Sequence, residues 1–358
     1  MRRPALAIFR EPGIRAALVS AALFGAATPL AKLLLENIAP LALAGILYLG
    51  SAAGLFLWLG WRSVRGRSLQ PLALGLAHPD LPWLICAIAS GGVVAPVLLL
   101  EGLTRTPASV ASLLLNLEAV FTAVLAWMVF REHTDRRIVL GMGLLVAAGA
   151  VLGWSGPPET GFSWGPLAVA GACLCWGIDN NLTRRISGGN PIAIAAWKGL
   201  IAGSVNGLLA GLSTPLPAWD VAAAAAVLGT FSYGVSLVLF VVSLARLGSA
   251  RTGAYFSASS LFGAALSLVL LDEAPGLLFW IGAGLTAAGL WLHASEQHAH
   301  PHSHDSLAHT HHHAHEAHHQ HPHDGSGDET GSHRHFHVHE PLTHSHPHYP
   351  DLHHRHRH

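Results

Sequence analysis

The chain has 358 residues, of which 51% are hydrophobic and only 11% charged, with a formal net charge of zero. Charge is far below the quarter or so usual in soluble domains, so a chain this apolar leaves no room for a soluble active-site domain. The neutral balance says little about partners, and nothing in it calls for nucleic acid.

In chain order, a short N-terminal segment, residues 1–13, precedes ten apolar stretches at about 14–35, 39–61, 82–104, 107–130, 137–155, 164–185, 191–212, 219–244, 250–271 and 276–294. A helix needs about 20 residues to cross the hydrocarbon core of a bilayer, and each stretch meets that length. The interiors lack period-two alternation, which argues against a membrane barrel. Ile14–Leu35 runs straight into Glu36-Asn37 without a small-residue cleavage pattern and reads as a retained helix. Cys86, Cys173 and Cys175 lie inside these stretches and read as small buried hydrophobes, not a disulfide or redox site.

Basic residues orient the chain. With a cytoplasmic N-terminus, fourteen arginines fall on the inner side and only Arg105 on the outer. That is a strong positive-inside bias. Both termini are then cytoplasmic, and a bacterial cytoplasmic (inner) membrane is the expected location.

The second half repeats the first. Phe24-Gly25 matches Trp176-Gly177, and Pro40 matches Pro191. Leu103 matches Leu244, Glu132 matches Glu273, and Gly141-Met142-Gly143-Leu144 matches Gly282-Ala283-Gly284-Leu285. Five crossings per copy turn the second copy upside down, the inverted-repeat plan of many secondary transporters. The expected fold is therefore an all-α membrane protein of ten transmembrane helices in two inverted five-helix repeats, 14–155 and 164–294. The pairs Gly143/Ala147 and Gly284/Ala288 are small-xxx-small pairs that read as helix packing, with a homodimer contact as the alternative.

These segments resemble the drug/metabolite transporter superfamily, specifically its ten-helix EamA type. The resemblance is carried by Phe24-Gly25 through Lys32, Pro40, Thr106-Pro107-Ala108-Ser109-Val110-Ala111, Phe130-Arg131-Glu132, Trp176-Gly177, Gly248-Ser249-Ala250-Arg251 and Leu271-Asp272-Glu273. It implies a central cavity between the repeats and gradient-coupled movement, often export, of small solutes. Leu47 stands where members often carry Arg, Lys198 holds the matching place in the second half, and Glu118 stands where members often carry Pro.

Ionisable groups inside a bilayer cost about 2.5–3.5 kcal/mol each at a helix centre on insertion scales, so they should face a cavity or a partner. Glu118 lies near the middle of the fourth stretch, and its repeat counterpart is Ser259. Tyr255 is one turn before Ser259 on the same helix face. The three are expected to line the cavity together, with Glu118 exchanging the coupling proton. Trp176, Asp179 and Thr183 share a face of the sixth stretch, and Lys198 on the next helix can neutralise Asp179 or help it recognise a substrate. Lys32 and Glu101 lie nearer the outer ends, where a lysine can snorkel to the interface. Asn116 is expected to bond a neighbouring helix.

Residues 295–358 change character and hold all but three of the 27 histidines. Apolar residues are too few for a core, and the expectation is a disordered, cytoplasmic, His-rich tail. Its His-x-His units include His333, His335, His337 and His339, then His344, His346 and His348; His311 and His313 add two more. Imidazole binds Zn²⁺, Ni²⁺, Co²⁺ and Cu²⁺, so the tail has the chemistry to hold divalent transition metals. No cofactor is required by anything in the sequence.

Two functions follow. One is a permease that exports small organic solutes such as amino acids, with the tail as regulator. The other is a Ni, Co or Zn transporter, or a metal-responsive permease, against which stands the lack of any histidine central to a stretch. No nucleophile–base pair or His/Asp motif marks an enzyme.

Overall fold

The computed structural model describes residues 11–64, 80–130, 136–154, 164–187, 190–294, 299–304, 307–313, 333–339 and 342–347. Residues 1–10, the Arg131-Glu132 pair, His298, His348 and the last His-x-His unit lie outside them.

Helices occupy all ten apolar stretches. In the first half they are α1 Pro12–Gly25, α2 Ala27–Leu34, α3 Pro40–Val64, α4 Leu81–Ala87, α5 Ala95–Thr104, α6 Ala108–Leu114, α7 Leu117–Phe130 and α8 Arg136–Leu152. In the second they are α9 Trp164–Ile186, α10 Pro191–Ser213, α11 Trp219–Gly229, α12 Ser236–Phe256, α13 Ala258–Leu270 and α14 Leu277–Ala294. Taking abutting helices as one, six among the described residues are long and apolar enough to cross a membrane. Val139–Leu152, Ala258–Leu270 and Leu277–Leu292 are shorter apolar helices. α9 is 23 residues long, but its Asp179-Asn180-Asn181 run makes it more polar.

Local sequence explains the starts. Glu11 caps α1 by accepting the Ile14 N–H at 2.7 Å, with Pro12 in the first turn. Asn190 caps α10 by accepting from Ile192 and Ala193, with Pro191 behind it. A side-chain acceptor at the cap and a proline in the first turn both suit N–H groups that have no partner within the helix.

The halves share more than sequence. A π-helical segment, Ile88–Val94, joins α4 to α5, and another, Thr230–Val235, joins α11 to α12. A break at Leu115–Asn116 separates α6 from α7, and a break at Ser257 separates α12 from α13. Both pairs of features lie 141 or 142 residues apart, close to the spacing of 141 between Leu103 and Leu244.

One boundary differs from expectation. A loop is expected between the eighth and ninth stretches, around 245–249, but α12 runs through it without interruption. No proline stands there, whereas Pro107 ends the helix at the matching junction of the first half.

α3 and α10 pack closely through glycines. A Cβ on Gly203 would stand 2.6 Å from the Leu49 backbone nitrogen, and one on Gly45 2.7 Å from that of Gly207. Small residues let membrane helices approach this way. The Gly199-Gly203-Gly207 spacing of four is the sequence signal of this contact. Gly143 and Gly284, expected to pack helices, face open space, and α8 meets α14 instead at Gly282 and Gly289, where Leu152 and Leu145 fill the gap.

Of the cysteines, Cys173 is buried, Cys175 half-buried and Cys86 exposed; all three are free. The Cys173 thiol points at the Leu114 and Leu115 carbonyls beside the α6–α7 break, at 3.6 and 3.8 Å.

The described residues between 299 and 347 belong to a unit separate from the helices. Among them are four strands: β1 Ala299–His304, β2 Leu307–His313, β3 His333–His339 and β4 Leu342–Pro347. β1 pairs with β4 and β2 with β3, both antiparallel. A period of two along the chain is the repeat of a strand, and the His-x-His pattern has that period.

Candidate functional site

Residues of both halves line one cavity. Its lining comprises Phe24, Tyr48 and Glu118 from the first half, and Trp176, Asp179, Asn180, Ser232, Tyr233, Ser236, Leu237, Phe240 and Phe256 from the second. They leave about 460 Å³ free of protein atoms, part of it open to solvent.

Glu118 is 8% exposed and lies in the first turn of α7, after the break at Leu115–Asn116. Its Oε1 accepts a hydrogen bond of 2.8 Å from Asn180 Nδ2, which also donates to Thr122 Oγ1 at 3.1 Å. Asn181, one residue on, donates to the Thr122 and Gly177 carbonyls. Consecutive amides on α9 thus tie it to α7. Gly177 makes room for this contact, since a Cβ there would lie 2.8 Å from Phe121 Cβ.

Asp179 sits one turn after Trp176. Its Oδ1 receives Lys198 Nζ at 2.5 Å and Thr183 Oγ1 at 2.8 Å, and Lys198 also reaches Thr183 Oγ1 at 3.0 Å. Lys198 is 2% exposed. The three side chains form a closed ionic knot, in which each charge replaces the water the other lost. Pairs of this kind offset their desolvation only with good geometry and added hydrogen bonds, and both are present. Gly91, in the first π segment, lies against the Asp179 carboxylate, which would overlap any Cβ there. The same glycine's carbonyl accepts from Tyr48 OH at 2.9 Å and Trp176 Nε1 at 3.0 Å. A π segment frees carbonyls from the helical ladder, and this one gathers two aromatic side chains on the cavity wall.

The aromatic wall is continuous. Phe24 stands 5.6 Å from Trp176, 5.7 Å from Tyr233 and 5.3 Å from Phe256; Tyr48 is 5.2 Å from Tyr233, and Phe240 4.7 Å from Phe256. Edge-to-face and tilted pairs at such distances are mutually favourable.

The structure brings together Glu118, Trp176 and Asp179 at the cavity, with Lys198 behind Asp179. It does not bring Tyr255 and Ser259 into the lining. The break at Ser257 lets Phe256 face the cavity, while the Ser259 backbone packs under Gly25. Lys32 is away from the cavity, where it donates to the Leu103 and Thr106 carbonyls at 2.5 and 3.2 Å. Asn116 donates to Leu113 O, inside its own helix break and not to a neighbour. The sequence analysis missed Asn180 as the Glu118 partner and missed Tyr48, Tyr233 and Phe240. Aromatics are common in membrane helices, and only the π segments, invisible as a pattern, explain why these turn inward.

Among the described residues, no three His, Cys, Asp or Glu side chains come together as a metal site. In the tail, the register sets His300 opposite His346, His302 opposite His344, His309 opposite His337, His311 opposite His335, and His313 opposite His333.

Comparison with known proteins gives a concordant result. The profile of the EamA-like transporter family matches residues 11–154 and again 163–294. An uncharacterized transporter of Methanothermobacter thermautotrophicus is 28% identical over 288 residues, covering 75% of this chain and 82% of its own. A probable terminal-alkyne amino-acid exporter of Streptantibioticus cattleyicolor is 26% identical, covering 61% of this chain and 76% of its own. A probable 4-amino-4-deoxy-L-arabinose-phosphoundecaprenol flippase subunit ArnE of Pseudomonas fluorescens is 38% identical, covering 28% of this chain and 82% of its own. A protein crystal structure shares the fold at 20% identity and a TM-score of 0.61, covering 78% of this chain and 97% of that one.

Proposed function

Because the chain belongs to the EamA-like transporter family and is an integral membrane protein, we propose that it is a secondary active exporter of small organic solutes, amino acids or related metabolites, in a bacterial cytoplasmic membrane. The observation that carries this reading is the cavity where discontinuous helices of both halves meet, with Glu118 and Asp179 in its wall. Transporters commonly place substrate and coupling-ion sites at such a junction of repeats. The name of the Streptantibioticus relative, an amino-acid exporter, supports the substrate class.

In this reading the two inverted halves rock about the cavity. Glu118 carries the coupling proton, because its carboxylate has an amide partner in Asn180 and not a cation. Asp179 stays ionised against Lys198 and holds α9 to α10 while the cavity changes its side of access. The test is amino-acid efflux from proteoliposomes under an imposed pH gradient. Wild-type protein should show gradient-driven efflux, and Glu118→Gln should abolish it. Wild-type rates in the variant at every pH would remove the proton role.

The tail supports a second role, reversible binding of Ni²⁺, Zn²⁺, Co²⁺ or Cu²⁺ that regulates the permease. The favouring observation is the register, which sets His311 opposite His335 and His313 opposite His333. Residues so opposed, and those two apart along a strand, are neighbours on an antiparallel pair. Isothermal titration of residues 295–358 with Ni²⁺ tests it; micromolar binding weakened when these four histidines become alanine is the expected result. Transport of the metal itself gains no support from the described helices.

A further inference from the structure

The transport reading leaves open which part of a solute the cavity recognises, and the hydrogen bonds of its lining bear on that. Six aromatic residues, Phe24, Tyr48, Trp176, Tyr233, Phe240 and Phe256, make up half of the lining. Two carboxylates, Glu118 and Asp179, share it, and no Lys, Arg or His is among the described residues lining the space.

The donors in this wall are already committed. Tyr48 OH and Trp176 Nε1 both donate to the Gly91 carbonyl. Asn180 Nδ2 donates to Glu118 and Thr122. Ser232 Oγ donates to Leu23 O, and the Ser236 hydroxyl bonds Ser20. Lys198, the nearest ammonium, is turned into Asp179 and Thr183. A substrate carboxylate entering here would meet π faces, spent donors and at most the neutral Tyr233 hydroxyl, a poor match for a group with two anionic oxygens. An ammonium would meet the opposite: acceptor oxygen on Glu118, and aromatic faces that attract cations.

We infer that the cavity selects a primary or substituted ammonium on a compact apolar body, and that it does not require, and disfavours, a carboxylate on the same molecule. This rests on the transporter reading above; within its small organic solutes it puts organic amines ahead of amino acids as the preferred substrates. Glu118 is the specificity-determining carboxylate. Asp179 does not play that part, because Lys198 already neutralises it. Tyr48 and Trp176 are held side by side by a single carbonyl, so two ring faces are in place before the ligand arrives.

The test uses the full chain in liposomes and three labelled probes with the same aryl group: phenethylamine, phenylalanine and 3-phenylpropionate. Phenethylamine should move saturably, phenylalanine about tenfold more slowly at equal concentration, and 3-phenylpropionate not at all. In equilibrium binding to the purified full chain, with no gradient imposed, Glu118→Gln should weaken the Kd for phenethylamine about tenfold or more, the loss expected when a charged hydrogen-bond partner becomes neutral. Trp176→Leu, which keeps Glu118, should weaken the amine by a smaller factor and leave the order of the three probes unchanged. Phenylalanine or 3-phenylpropionate moving as fast as the amine would overturn the inference while leaving organic-solute transport standing. A phenethylamine Kd of a folded Glu118→Gln protein equal to wild type would overturn it too. Efflux of neither these probes nor a wider panel of amino acids and amines would overturn the inference and the transporter reading together.

Discussion

The two junctions that matched sequence motifs mark, Leu103 to Ala111 in the first half and Leu244 to Thr252 in the second, have different conformations. In the first, α5 stops at Thr104 and the chain turns through Arg105–Pro107 before α6 begins. In the second, α12 is one rod from Ser236 to Phe256. The cause is local. Pro107 lacks an N–H and disfavours helical geometry in Thr106 before it, and Gly248 stands at the matching place. The turn leaves the first amides of α6 without partners, and Glu273 of the second half takes both, Ala108 N–H at 2.8 Å and Ser109 N–H at 3.0 Å. Asp272, with φ of 47°, bends the backbone that aims it. Aspartate tolerates that left-handed region better than most residues. Similar sequences thus give a corner clasped by the other half in one place and a free-running rod in the other. Any single state of an alternating carrier needs halves that are unequal in this way.

Substitutions can sharpen or break this contrast between halves. The largest expected effect on stability is at Lys198, whose side chain has no counterpart in the first half, where Leu47 stands. Lys198→Met strands the Asp179 carboxylate and should cost about 3–5 kcal/mol. The double variant Lys198→Met/Asp179→Asn should recover most of that loss. Thermal unfolding in detergent measures both; a single variant as stable as wild type would show that the pair is not tightly held. Glu273→Gln comes next. It replaces a charged cap by a neutral one at the start of α6 and should lower stability by about 1 kcal/mol. Hydrogen exchange should quicken at Ala108 and Ser109 and not at the α12 rod. Equal change at both places would mean that the clasp does not hold the corner.

Much of this was legible in the sequence, and the parts that were not share a reason. The apolar stretches, the duplication and the Asp179–Lys198 pair follow from composition and helical spacing, which a membrane enforces strictly because every backbone group must be bonded internally. The α3–α10 packing was legible in the glycines but went unread. The rod through 245–249 runs where the stretches predict a gap, because Gly248 and Ser249 do not end a helix as Pro107 does in the other half. Tyr255 and Ser259 were placed in the cavity by continuing one helical face across Ser257, and the break there rotates the face. Phe256 turns inward instead. The π segments at Ile88–Val94 and Thr230–Val235 have no side-chain signature, so the inward turn of Tyr48 and Tyr233 could be found only in the folded chain.

The smallest expected effect is at Ser259, and it tests the contrast most directly. Glu118 and Ser259 are counterparts by sequence, both just after a helix break. Facing halves would give them equal access to the cavity. In the structure Glu118 lines it and Ser259 does not, because the Ser259 backbone closes against Gly25. The exposed work of the second half at this level falls to Phe256. Ser259→Ala removes only a hydroxyl in a packed place away from the lining, so its transport rate should stay within about twofold of wild type and its stability within about 1 kcal/mol. Glu118→Gln, at the matching place, should stop gradient-driven efflux. A Ser259→Ala protein that folds but no longer transports would place the two counterparts on the same path after all. It would also show that the cavity, in another state of the cycle, extends past Phe256 to the second break.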